Sequence, residues 1–140
     1  MLHLTKLAVG VRDIDHLREL QADRAKRLPP LRHRTRSFPR RHQEVIDGGS
    51  MYWVISGTML VRQRIVDIIE DKRDDGTACT GLILDQELVP LSGRPTKAFQ
   101  GWRYLRPDDA PQDLALGPRA LGEDELPSAL RRELRVLCLL

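Results

Sequence analysis

The chain has 140 residues, with 23 Lys and Arg against 20 Asp and Glu, and a net charge of +3. This size and balance suit one domain with one core, and a hydrophobic share of 41% excludes a disordered polyelectrolyte. No apolar run approaches the length of a membrane-spanning helix, and two distant cysteines, Cys79 and Cys138, exclude a disulfide framework and point to a reducing cytoplasm.

The first stretch, "LHLTKLAV", alternates loosely and predicts a strand ending at Gly10. Lys6 interrupts its apolar residues and no small-residue cleavage site follows, so no signal peptide is expected. In "RDIDHLRELQADRAKRL", Ile14, Leu17, Leu20, Gln21, Ala25 and Leu28 fall near one helical face. Asp13 is the expected N-cap, and Pro29 and Pro30 stop the helix. The next residues, "RHRTRSFPRRH", are expected to form an extended connection, because Pro39 disfavours helix at Phe38. Pro39 then suits the start of a second short helix, "PRRHQEVID", ended by Gly48 and Gly49.

A β-rich middle follows. "MYWVI" and "TMLVRQRIVDII" flank Ser56-Gly57, a tight-turn signal, and "EDKRDDGT" ends in a second one, Asp75-Gly76. "ACTGLILD", "ELVPL" and "FQGWRYL" read as further strands, with "SGRPTK" as a loop. The remainder, rich in Pro, Gly and acids, reads as irregular surface with a short helix after Asp109. "LPSALRRELRVLCLL" then predicts a terminal amphipathic helix. Its apolar end is expected to dock on the domain or to join a second copy as a homo-oligomer. The expected architecture is α+β: a mainly antiparallel, barrel-like curled sheet of undetermined closure, two N-terminal helices and a C-terminal helix. Residues 1–114 form the domain in this reading, and 115–140 an acidic connection and the terminal helix.

Charge is unevenly placed. Arg24, Lys26, Arg27, Arg32, Arg34, Arg36, Arg40 and Arg41 occur with no acid among them up to His42. Arg94, Lys97, Arg103 and Arg106 form a second acid-free stretch, whereas Asp108 to Glu125 is acidic. Local field of this kind steers charged ligands.

"TKLAVGV", "TRSFPRR", "GGSMYWVISGTMLVRQRI", "LILD" followed by "LVP", and above all "FQGWRYL" together resemble a bacterial family, domain of unknown function 1489. The strings cover roughly residues 1 to 114. The resemblance implies a compact bacterial cytoplasmic domain and assigns no catalytic residue.

Guanidinium groups bind phosphate bidentately, and several in one segment suit a polyanion. Arg34, Arg36, Arg40 and Arg41 are therefore the phosphate-binding candidates in the basic run. On the strand "MLVRQRI", Arg62 and Arg64 share one face, while Gln63 shares the other with apolar neighbours and needs a partner if buried. Arg103 sits between Trp102 and Tyr104, rings on which a base could stack. The opposing readings are arginines paired to acids, and Trp53 and Trp102 as core packing. No metal spacing, Walker loop or nucleophile motif is present, so no metal and no cofactor is expected, and catalysis is left open. The leading expectation is an accessory protein that binds RNA or another polyanion through these arginines. The alternatives are a small enzyme or sensor for a phosphorylated metabolite, and an assembly module docking an acidic surface. No membrane partner is expected.

Overall fold

A computed structural model describes residues 1–114. The expected terminal helix lies outside the described residues.

Strand β1 (His3–Leu7) leads through Gly10 into helix α1 (Ile14–Arg27). The Asp13 carboxylate accepts the His16 N–H at 2.7 Å, the cap that the sequence predicts. Ile14, Leu17 and Gln21 form the buried face, and Arg24, Lys26 and Arg27 occupy the last turn, where cations suit the helix dipole. Strand β2 (Arg32–Thr35) and helix α2 (His42–Ile46) follow. Next come β3 (Ser50–Ile55), β4 (Thr58–Lys72), β5 (Ala78–Leu84), β6 (Val89–Pro95) and β7 (Trp102–Leu105), then a single 3-10 turn at Pro107–Asp109. Ser56 and Gly57 join β3 to β4 with φ of 51° and 83°, the two positive values of a tight hairpin turn.

The strands form one sheet in the order β2-β5-β4-β3-β1-β7, and β6 pairs with β4 outside that path. Strand β4 organises it. Its first half pairs with β3 and β6, and its second half with β5. A register shift between Ile65 and Asp67 separates the halves, and such an irregularity bends a strand. His33 on β2 and Trp53 on β3 stand 5.1 Å apart, ring to ring, although β5 and β4 lie between their strands. Three strand spacings in a flat sheet would separate them by about 14 Å. The sheet is therefore curled, with His33 and Trp53 facing one another inside.

The main core fills this concave side. Leu4, Met51, Trp53, Val61, Ile65 and Leu82 are buried there together with Ile14 and Leu17 of α1. A smaller cluster, containing Tyr52, Val54, Met59, Leu91 and Leu105, packs on the convex side. Gln63 is fully buried in the main core, and its carboxamide is hydrogen-bonded throughout. Its Oε1 accepts from Gln21 Nε2 at 2.9 Å and Trp53 Nε1 at 3.0 Å; its Nε2 donates to Gln21 Oε1 and the Asp85 carbonyl. The partner that a buried Gln63 requires is thus supplied by α1, tying helix to sheet.

The expected α+β architecture needs correction, since the described residues are mostly sheet with one long helix, and so do several of its parts. The sheet is mixed, because β1 pairs with β3 in parallel, while the other strand pairings are antiparallel. Closure, left open by the sequence, does not occur: β2 and β7 remain the two ends of the sheet. Of the two expected N-terminal helices, only α1 is long; α2 spans five residues, with Pro39 buried ahead of it rather than opening it. The basic run is not wholly a connection. Arg32–Thr35 is a strand whose backbone pairs with β5. Its four polar residues carry no hydrophobic alternation, so only the pairing reveals it. Strand β6 likewise takes in Ser92–Pro95, most of the expected loop.

Candidate anion-binding groove

Cross-strand pairs share a face of a sheet, and this assigns each predicted site residue to a side. Lys6 pairs with Trp53 and Trp102, and Trp53 with Val61, so this row faces the concave core. Tyr104 pairs with Leu4 and shares that side. Thr5 pairs with Tyr52 and Arg103, and Tyr52 with Arg62, so Arg62 and Arg103 face the convex side, as does Arg64 opposite Ser50. The predicted sheet arginines and the predicted stacking rings therefore lie on opposite faces.

The convex arginines are engaged. Arg62 donates two hydrogen bonds to Asp113, at 2.6 and 2.7 Å, which hold the Asp113 carboxyl below its ordinary value. Arg64 donates to the Ile46 carbonyl, and the Arg103 guanidinium lies 4.7 Å from the centre of the Phe99 ring.

Part of the basic run is neutralised as well. Arg32 and Arg34 each reach Asp71 at 3.2 Å, and Arg34 also meets Asp74. Asp71 lies on β4 and the arginines on β2, with β5 between. The carboxylate crosses β5 beside Gly81, where an added Cβ would lie 3.0 Å from Asp71 Oδ2. Burial opposes the charge on Asp71, but bonds from the Lys72 N–H, Arg32 and Arg34 outweigh it and depress its pKa. Arg41 is bonded to Glu44 at 2.8 Å. A cavity of about 350 Å³ beside Arg24, Arg27, Arg32 and Arg34 thus has its β2 cations already paired, with Asp74 in its wall.

What remains converges between the two open ends of the sheet. A groove of about 770 Å³ is lined by Lys6, Arg36, Arg40, Arg73, Trp102 and Tyr104, with His33, Arg34 and Phe38 among its other walls. Lys6, Arg36, Arg40 and Arg73 have no acidic partner among the described residues. Two hydrogen bonds close the end of the groove: Trp102 Nε1 donates to the Ser37 carbonyl at 3.0 Å, and the Arg41 N–H donates to Tyr104 Oη at 3.1 Å. The Trp102 and Tyr104 rings meet edge to face at 4.9 Å.

His33 stands at the back of the groove. Burial first, then the neighbouring charges of Lys6, Arg24 and Arg73, push its pKa down to about 4. The imidazole is therefore neutral at physiological pH, and its Nε2 is buried without a hydrogen-bond partner among the described residues. Burial likewise lowers the pKa of Lys6. A negative charge entering the groove would favour the protonated forms of Lys6 and His33 and oppose these shifts.

The groove thus brings together Arg34, Arg36, Arg40, Trp102 and Tyr104 of the predicted site and holds Arg41 at its edge. It leaves Arg62, Arg64 and Arg103 outside. Lys6, His33 and Arg73 belong to it without having been singled out from sequence. The one available signal was Lys6, a charge inside an apolar strand. No group of His, Cys, Asp and Glu suited to a metal ion occurs among the described residues, and no described helix is long and apolar enough to cross a membrane.

No curated protein and no solved structure matches the chain. A family description, "Protein of unknown function (DUF1489)", matches residues 4–140, reaching past the strings of residues 1–114 into the acidic segment and the chain end. With nearly its whole length covered, the chain belongs to the DUF1489 family.

Proposed function

We propose that this protein binds a phosphate-bearing small ligand in the groove between β2 and β7. One observation carries the reading: Lys6, Arg36, Arg40 and Arg73, unpaired by acids among the described residues, line one groove walled by Trp102. Arg36, Arg40 and Arg73 are exposed and Lys6 half-buried, and the fields of four cations add within the groove and draw an anion towards it. The test is calorimetric titration with inorganic pyrophosphate. Arg36→Gln with Arg40→Gln should weaken binding by about tenfold or more, at roughly 1.5–3 kcal/mol per hydrogen bond to a charged group. Arg62→Gln with Arg103→Gln, on the convex face, should leave it unchanged. Equal loss in both pairs would refute a localised site.

Single-stranded RNA laid along the same groove is the second reading. It is favoured by Phe38, which is 38% exposed at the lip beside Arg36 and Arg40, where a base could stack. A strand following the lip should give a log affinity against log salt slope that loses about 0.7 per phosphate contact removed. A compact ligand engages few phosphates and should give a shallow slope.

A further inference from the structure

We infer that the ligand has two parts, with its phosphate in the groove and a heteroaromatic ring, as in a nucleoside phosphate, in a chamber behind Lys6 and His33. This inference rests on the groove reading above and deepens it.

The chamber has a volume of about 260 Å³ and lies between α1 and the ends of β1 and β3. Leu17, Leu20, Trp53 and Leu84 give it apolar walls, and Gln21, Arg24 and Arg32, with Lys6 and His33, give it polar ones of nearly equal extent. Lys6 and His33 line both the chamber and the groove. They form the waist between the mixed, ring-sized recess and the cationic groove. A dry cavity of about 150 Å³ holds a benzene ring, so this chamber has room for a one- or two-ring group.

Its lining selects the chemistry of that group. A purely aliphatic occupant would cover the buried Gln21 without giving its remaining polar capacity a partner. Each Gln21 carboxamide atom makes one hydrogen bond to Gln63 and keeps capacity for another. The Arg24 guanidinium makes no ion pair among the described residues. A ring with polar edge atoms satisfies these groups while its faces meet Leu17, Leu20 and Trp53. His33 lines both cavities, and its Nε2 is buried without a hydrogen-bond partner among the described residues. A modest turn of that ring on ligand entry gives it the partner it lacks. The Lys6 ammonium, at the waist, is placed for the phosphate nearest the sugar.

The full chain is titrated with inorganic pyrophosphate, ribose 5-phosphate and nucleoside diphosphates. Nucleoside diphosphates should bind about tenfold or more tightly than pyrophosphate, the scale of base stacking on an aromatic wall. Leu20→Trp, which fills the chamber from a half-buried helix position, should bring nucleoside diphosphate affinity down to that of pyrophosphate. Ala8→Phe fills it from the β1 side and should do the same. Pyrophosphate binding uses the groove and reports that each variant is folded. If pyrophosphate already binds as tightly as the nucleoside diphosphates, or if both filled variants keep the preference, the chamber inference is overturned and the groove reading stands. If none of the probes binds, the groove reading itself is wrong.

Discussion

Trp102 donates its indole N–H to the Ser37 carbonyl at 3.0 Å, joining the two unpaired ends of the curled sheet through one side chain. Trp102→Phe keeps the ring and removes the donor. We expect a stability loss of about 1 kcal/mol, the net worth of one such bond. Amide hydrogen exchange should quicken across residues 36–41 and hardly change in α1. Uniform quickening would show that the bond does not act locally.

Gly81 makes room for the Asp71 carboxylate on its way to Arg32 and Arg34. Gly81→Val places carbon 3.0 Å from that oxygen and 3.1 Å from Ile69 Cγ1. We predict destabilisation of about 1–3 kcal/mol, the usual range for overpacking. The penalty should shrink in an Asp71→Ala background, because the nearest obstacle, the carboxylate oxygen, is gone. A denaturant double-mutant cycle with strictly additive effects would count against the crossing carboxylate.

Gln63→Ala strands Gln21, the Trp53 indole N–H and the Asp85 carbonyl in the core. The expected cost is on the order of 3–5 kcal/mol, from unpaired polar groups together with a cavity. Changing Gln21 and Gln63 both to Leu should recover part of it, since matched apolar replacement leaves fewer orphans. Urea midpoints on the single and double variants decide the matter.

The pKa of His33 is about 4 when folded, against 6.5 for the free side chain. The unfolded chain then binds the proton first as pH falls. Stability should be fully present above pH 6.5 and decline towards pH 4, by an amount on the order of 3 kcal/mol from this residue. His3 is lowered too, chiefly by burial, and pushes in the same direction. His33→Phe keeps a ring against Trp53 and should flatten most of the slope. A Tm against pH curve unchanged by that substitution would locate the titration elsewhere. An anion in the groove opposes the lowering by Lys6, Arg24 and Arg73, so binding at pH 5.5 should be accompanied by proton uptake, measurable by calorimetry in buffers of different ionisation enthalpy.

Arg62 and Asp113 pin residues 110–114 beside β6, where the Ser92 N–H meets the Gln112 carbonyl and the Leu114 N–H meets the Pro90 carbonyl. Arg62→Gln should speed proteolytic cleavage near residues 106–114 several-fold and leave pyrophosphate affinity within about twofold, since exposed contacts of this kind contribute little to the rest of the fold. Binding lost in proportion to cleavage would place Arg62 in the ligand site.

Local signals were legible wherever a residue decides its own backbone. Asp13 caps α1, Pro29 and Pro30 follow its end, Ser56-Gly57 turns the first hairpin, and the alternation in β4 puts Gln63 inward and Arg62 and Arg64 outward. The strand at Arg32–Thr35 was hidden, because polar side chains flank both of its faces and its hydrogen bonds go to β5, far along the chain.

The sequence by itself determined the helix, the hairpins, the concentration of arginine in one segment and the need for a buried partner to Gln63. These follow from propensity, periodicity and valence, which act over a few residues. Only the tertiary structure decided which arginines are free. Asp71 passes beside Gly81 to take Arg32 and Arg34, and Asp113 takes Arg62 from a distance of fifty-one residues. Curling of the sheet brings Lys6, Arg36, Arg40 and Arg73 into one groove with Trp102. Charge acts through space, and the distances that sort paired from unpaired cations exist only once the strands are laid side by side.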